Sequence, residues 1–173
     1  MNVEWREHPK LKGRFLAEHP DDLQVLVHDG GPRITSHRPE AVWVTVTGAD
    51  GSVFRGRVIN QPSNLQTVRL NSEIKFVVAD GAPFPVMVSD RYLNERERWL
   101  IHPCNKCGFA ELFDAPSDLM RAVFPDLPAG AEMSIFTSFC PLCGGVQGIE
   151  ARDEASQVAR AVSARRHWWK FWG

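Results

Sequence analysis

At 173 residues and 19.5 kDa, with 43% hydrophobic and 24% charged side chains, the chain has room for one substantial core, or one core with a small appendage, and too little for a large two-domain enzyme. Its formal net charge of -1 excludes a whole-molecule electrostatic attraction to nucleic acid or anionic lipid, so any such contact has to come from a local patch. The charge is unevenly spread: residues 1–100 carry 13 basic and 13 acidic side chains, residues 101–150 carry 2 and 6, and residues 151–173 carry 5 and 2.

The first segment, residues 1–100, reads as a β-rich domain. It opens on MNVEWREHPKLKGRF, charged throughout and without the apolar stretch of a secretory signal. The longest purely hydrophobic run, AVWV, is far below the roughly 20 residues that span a bilayer, and a cytoplasmic protein is expected. LQVLVHD (Leu23 to Asp29) reads as a strand stopped by Gly30-Gly31-Pro32. AVWVTVTG and SVFRGRVIN form a hairpin across Ala49-Asp50-Gly51, because Asp-Gly supplies the positive φ of a tight turn. Alternation places Val42, Val44 and Val46 on one face, joined by Val58 in the core, with Trp43 opposite. NLQTVRL and EIKFVVAD read as two more strands around an Asn71-Ser72 turn, and residues 23–79 are expected to fold independently. From Ser89 the pattern SDRYLNERERWL is that of a short helix running to Trp99, capped by Ser89 or Asp90. The class expected is α+β: a small curled antiparallel sheet or SH3-like barrel, followed by a zinc-ribbon module and a C-terminal helix.

Residues 42–76 also carry a resemblance. A Trp-containing strand, a turn, the pattern F-x-G-x-x-x-N-x-P at Phe54, Gly56, Asn60 and Pro62, and a strand opened by a polar turn together resemble the YegJ-like family of small bacterial domains of unknown function. The resemblance implies fold more than function, and it does not extend to the cysteines or the C-terminal tail.

Residues 101–150 hold the strongest chemical signal. Cys104-Asn105-Lys106-Cys107-Gly108 and Cys140-Pro141-Leu142-Cys143-Gly144 each have the spacing with which a tight turn points two sulfurs at one ion. Together Cys104, Cys107, Cys140 and Cys143 offer four thiolates for a structural Zn2+, worth on the order of 10 kcal/mol to folding. The competing reading is a pair of redox-active dithiols. Between the knuckles, APSDLMRAVFP reads as an inserted helix capped by Ser117 and stopped by Pro125, and MSIFTSF as the strand leading into the second knuckle. His102 is close enough in sequence to serve as a substitute ligand, although a surface role is the simpler expectation.

Residues 151–173 read as an amphipathic helix starting at Ala151 and ending in a Trp-rich tail, with Trp168, Trp169, Phe171 and Trp172 around Lys170. That tail is suited to contact a membrane surface or to fold back on the protein. No nucleophile elbow, phosphate-binding loop or H-E-x-x-H is present; His19-Pro20-Asp21-Asp22 and His28-Asp29-Gly30-Gly31 read as turns. The function expected is a noncatalytic, zinc-stabilised protein-binding module, an adaptor or a toxin-neutralising immunity protein, with a partner surface around Glu111, Asp114, Asp118 and Asp126 and the aromatic tail. The acidic zinc segment weighs against nucleic acid. The alternatives are a nucleic-acid-binding zinc ribbon and a small enzyme with its site around His28, Arg55 and Arg57.

Overall fold

Alternating apolar and polar residues in the first half of the chain bury one face of each strand, and a twisted sheet of five such strands curls until its edges meet. In the structure, a computed structural model that describes residues 4–152, a 3-10 turn at Glu4–Glu7 is followed by β1 (Asp22–Val27), β2 (Glu40–Asp50), β3 (Val53–Val58), β4 (Glu73–Val77) and β5 (Val86–Val88). These close into a barrel in chain order. Successive strands are antiparallel, and β1 meets β5 in parallel at Leu26 and Val86. Val42, Val44, Val46 and Val58 point inward as the alternation requires, against Phe54 and Phe76, whose ring centroids are 5.5 Å apart. Gly56 lies over Val44, where a Cβ would stand 2.4 Å from Val44 Cγ1.

The second half supplies α1 (Asp90–Arg96), β6 (Trp99–Ile101), α2 (Pro116–Val123), β7 (Ile135–Phe139) and β8 (Val146–Ala151), with β6, β8 and β7 forming a separate antiparallel sheet in that order. The chain is therefore mixed α+β with a closed five-strand barrel. The two halves share apolar clusters. One joins Val77 and Val88 of the barrel to Tyr92, Trp99, Leu112, Phe136 and Ile149. Another joins Leu26, Ala79 and Val86 to Phe109, Phe113, Cys104 and Cys140.

Several expectations are corrected. Residues 64–70 are not a strand: the backbone N–H groups of Ser63 and Asn64 donate to the Glu40 carboxylate, those of Gln66 and Thr67 to Asp29, that of Arg69 to Ser72 Oγ and that of Leu70 to Gln61 Oε1. With its donors satisfied by side chains, the segment has little left for a ladder. The barrel also extends beyond residues 23–79, since β5 closes it. Helix α1 is capped by Ser89, whose Oγ accepts from the Tyr92 N–H at 3.0 Å, but it ends before Trp99, which belongs to β6. In α2 the N-cap is Ala115, with Pro116 in the first turn; Ser117 instead donates its hydroxyl to Glu95 at 2.6 Å. Ala151 ends β8 opposite Trp99 rather than opening a helix. Beyond Arg152, the expected C-terminal helix and the aromatic tail lie outside the described residues.

Candidate metal centre

Each Cys-x-x-Cys is a turn closed by its own backbone. Gly108 N–H donates to Cys104 O at 3.0 Å and Gly144 N–H to Cys140 O at 2.9 Å, and both glycines take positive φ, 78° and 73°, which an L side chain rarely adopts. The first turn follows β6, and the second joins β7 to β8, so the small sheet carries both to the same end. The four Sγ atoms lie within 4.8 Å of one another. Two of the pairs cross between the knuckles, Cys104 to Cys143 at 3.5 Å and Cys107 to Cys140 at 3.6 Å. Metal–sulfur bonds of about 2.3 Å in a tetrahedron space sulfurs about 3.8 Å apart, so this donor set fits a tetrahedral ion. A disulfide needs about 2.05 Å, and all four cysteines are free; their convergence on one point, rather than as two separate dithiols, is the arrangement of a metal site.

The protein around the sulfurs is built for thiolates. Lys106 N–H donates to Cys104 Sγ and Gly145 N–H to Cys143 Sγ, each at 3.4 Å. Burial acts to raise the Cys104 thiol, but the N–H groups of Cys107 and Lys106 outweigh it and bring it down to about 6. Cys140 and Cys107 are both raised, chiefly by desolvation. Four thiolates converging on one point need a cation between them; a bound metal ion would supply it and keep all four deprotonated.

Asn105 ties the knuckles together: its N–H donates to Val146 O at 3.1 Å, and its Oδ1 accepts from Val146 N–H at 2.9 Å. Gly145 makes room for this, because a Cβ there would lie 2.5 Å from Cys104 Sγ and 2.8 Å from Asn105 Oδ1. Neither residue was anticipated, although the doubled Gly144-Gly145 is a visible sign of close approach. On the barrel side, Gly81 sits against the first knuckle, Asp114 accepts from Gly31 N–H at 3.0 Å, and the guanidinium of Arg33 lies 4.8 Å from the centroid of the Phe139 ring.

No protein-family model, curated protein or solved structure matches this chain. The other residues singled out in the sequence are dispersed. Glu111 is only 7% exposed; it accepts from the Tyr92 hydroxyl and pairs with Arg96, facing inward. Asp114 is half-buried against Gly31, Asp118 pairs with Arg91 at 2.9 Å, and Asp126 is exposed. They do not make one acidic surface. Trp168, Trp169, Phe171 and Trp172 lie outside the described residues. His102 turns away from the sulfurs to Glu150, 3.2 Å away.

The His28, Arg55 and Arg57 grouping does not converge either. His28 is buried, stacked on Phe113 at 3.9 Å, with Nε2 2.8 Å from Met87 O and Nδ1 accepting from Gly30 N–H, while Arg55 and Arg57 point outward from β3. Asp29 serves the loop: it accepts from Gln66 and Thr67 and pairs with His37. Asp21 pairs with Arg6 at 2.5 Å, and Asp22 accepts from the Thr45 hydroxyl, so the His19–Asp22 stretch is structural. Asn60 Oδ1 accepts from Trp43 N–H at 2.7 Å, a strand-ending role. Among the described residues no helix is long and apolar enough to cross a membrane.

Proposed function

We propose that the chain is a noncatalytic binding protein in which an SH3-like barrel is fused to a zinc ribbon with an inserted helix, held by a structural Zn2+ on Cys104, Cys107, Cys140 and Cys143. The observation that carries this reading is the separation of the four sulfurs, which suits a closed tetrahedral shell. Four protein thiolates leave no coordination position for a reacting water, so the ion has a structural role. That role extends beyond its own lobe, because Cys104 and Cys140 are packed in the same cluster as Leu26, Ala79 and Val86 of the barrel. The partner is a protein, met in the role of an adaptor or of an immunity protein that neutralises a toxin. Supporting this, Ile135, Phe139 and Val146 are 58%, 50% and 45% exposed, and Phe139 and Val146 are direct cross-strand neighbours, giving an apolar strip on the second sheet. The resemblance of residues 42–76 to the YegJ-like family, and a cytoplasmic location, are part of the same proposal.

Metal analysis of the purified chain tests the centre. One zinc per chain is expected, with loss of stoichiometric metal in each single Cys→Ser variant and release of zinc on acidification as the thiolates protonate. Stoichiometric zinc retained in all four variants would remove the assignment. The partner reading is tested by affinity capture with Phe139→Ser as the control. A captured protein that binds the variant equally well would show that this strip is not the contact.

A further inference from the structure

A cavity of about 730 Å3 opens between the β2–β3 hairpin of the barrel and helix α1. That volume is in the range of small-molecule sites, roughly 300–1,000 Å3. Among the described residues four cations line it: Arg55 from β3, Lys75 from β4, Arg96 from α1, and Arg152 just after β8. The acidic groups in its walls, among the described residues, are Asp50 and Glu97. Lys75 also pairs with Asp90 and Arg96 with Glu111, and Arg152 donates from Nε to Trp99 O at 2.9 Å. Arg55 stands apart. Among the described residues its side chain makes no hydrogen bond or ion pair, although its strand, β3, is paired on both sides by β2 and β4.

Two features show that Arg55 is held there at some cost. The β2–β3 register slips between Val46 and Gly48, and the guanidinium of Arg55 lies across the bare Cα of Gly48: a Cβ at that position would stand 2.8 Å from Nη2, 3.2 Å from Nε and 3.3 Å from Cζ. A bulge with glycine is a means of re-aiming a side chain. On its other side Arg55 is directly opposite Lys75, a like-charged cross-strand pair that destabilises a sheet. A residue arranged against the local rules for stability marks a site with another use.

We infer that this cleft binds a small phosphate-bearing molecule, with Arg55 as the principal phosphate contact and Lys75 beside it. A guanidinium presents a planar fork of N–H donors that matches phosphate oxygens, and an anion placed between Arg55 and Lys75 relieves their repulsion. Val53 and Leu93 give the cleft an apolar wall for the organic part of the ligand. Among the described residues no aromatic side chain lines it to give the stacking platform that single-stranded nucleic acid uses, and Asp50 and Glu97 limit the negative charge it accepts.

The test is an NMR titration of the zinc-loaded full chain with phenyl phosphate, inorganic phosphate and a short oligothymidylate, at low and high salt. Phenyl phosphate is expected to bind more tightly than inorganic phosphate, to shift amides of residues 49–55 and 93–97, and to weaken with salt. Arg55→Gln should weaken it about tenfold or more, and Gly48→Ala by several-fold, while Arg57→Gln, whose side chain pairs with Glu73, leaves it within about twofold. Arg55→Gln should also keep its zinc and melt no lower than the parent, since a repulsive pair has been removed. Three results would overturn the proposal: absence of shifts in the cleft, equal loss in Arg57→Gln and Arg55→Gln, or tighter binding of the oligonucleotide at the same residues, which would assign the cleft to a nucleic-acid strand.

Discussion

Replacing Gly81 by alanine should loosen the barrel from the metal centre. Gly81 has φ of 77°, and a Cβ there would lie 2.4 Å from Phe109 N, 2.5 Å from Gly108 C and 2.6 Å from Cys107 O. The left-handed conformation alone costs an alanine about 1 kcal/mol. The three overlaps are with the backbone of the first knuckle, which cannot rotate aside as a flexible side chain would, and they add about 1–3 kcal/mol. The total of roughly 2–4 kcal/mol corresponds to a fall in Tm of about 5–15 °C for a chain of this size. Gly51→Ala is the matched control: its φ is 58° but nothing lies within 4 Å of the added Cβ, so only the conformational cost of about 1 kcal/mol remains. Thermal melts of both variants, with zinc affinity measured by chelator competition, separate the two contributions. Gly81→Ala should bind zinc more weakly and Gly51→Ala should not. Equal Tm values for the two variants, with unchanged zinc affinity, would refute the packing of the barrel loop on the knuckle.

Val44 has no exposed surface, and Val44→Ala should cost roughly 1–3 kcal/mol by urea denaturation, whereas a change within about 0.5 kcal/mol would place its side chain outside the core. Burial holds His28 down to about 4, so the unfolded chain takes up a proton there between pH 6.5 and 4 and the native state does not. Its contribution, on the order of 3 kcal/mol, is present above pH 6.5 and lost as the pH falls through this window, and His28→Gln should flatten that part of the stability profile. Asp114 has the opposite sign: burial raises its carboxyl to about 6, so the stability of its protonated form is present below about pH 4 and lost as the pH rises through 6. Asp114→Asn keeps an acceptor for Gly31 N–H and should be more stable than the parent by about 1 kcal/mol above pH 6, with no gain near pH 4. A variant no more stable at pH 7.5 than at pH 4, relative to the parent, would contradict the burial of that carboxylate.

Local pattern alone determined the features whose physics is local. Asp50-Gly51 marks the β2–β3 hairpin because the turn needs a positive φ, which Gly51 takes at 58°. Alternation at Val42, Val44 and Val46 chose the inner face of β2, and the two Cys-x-x-Cys-Gly turns identified the four cysteines that come within metal-binding distance, because two sulfurs on one tight turn have few other ways to point. What only the tertiary structure decided depends on partners distant in the chain. Residues 64–70 have the composition of a strand, yet Asp29 and Glu40, 24 to 38 residues away in sequence, take N–H groups from them. β5 and β6 are three residues each, too short to show a period, and they form because β4 and β1 flank the first and β8 pairs with the second. Glu111 reads as surface charge until Tyr92 and Arg96 are brought to it by α1. Arg55 likewise looks like an ordinary solvated strand residue; its place over Gly48 and opposite Lys75 is set by a bulge and a register, and neither is a property of any short stretch of chain.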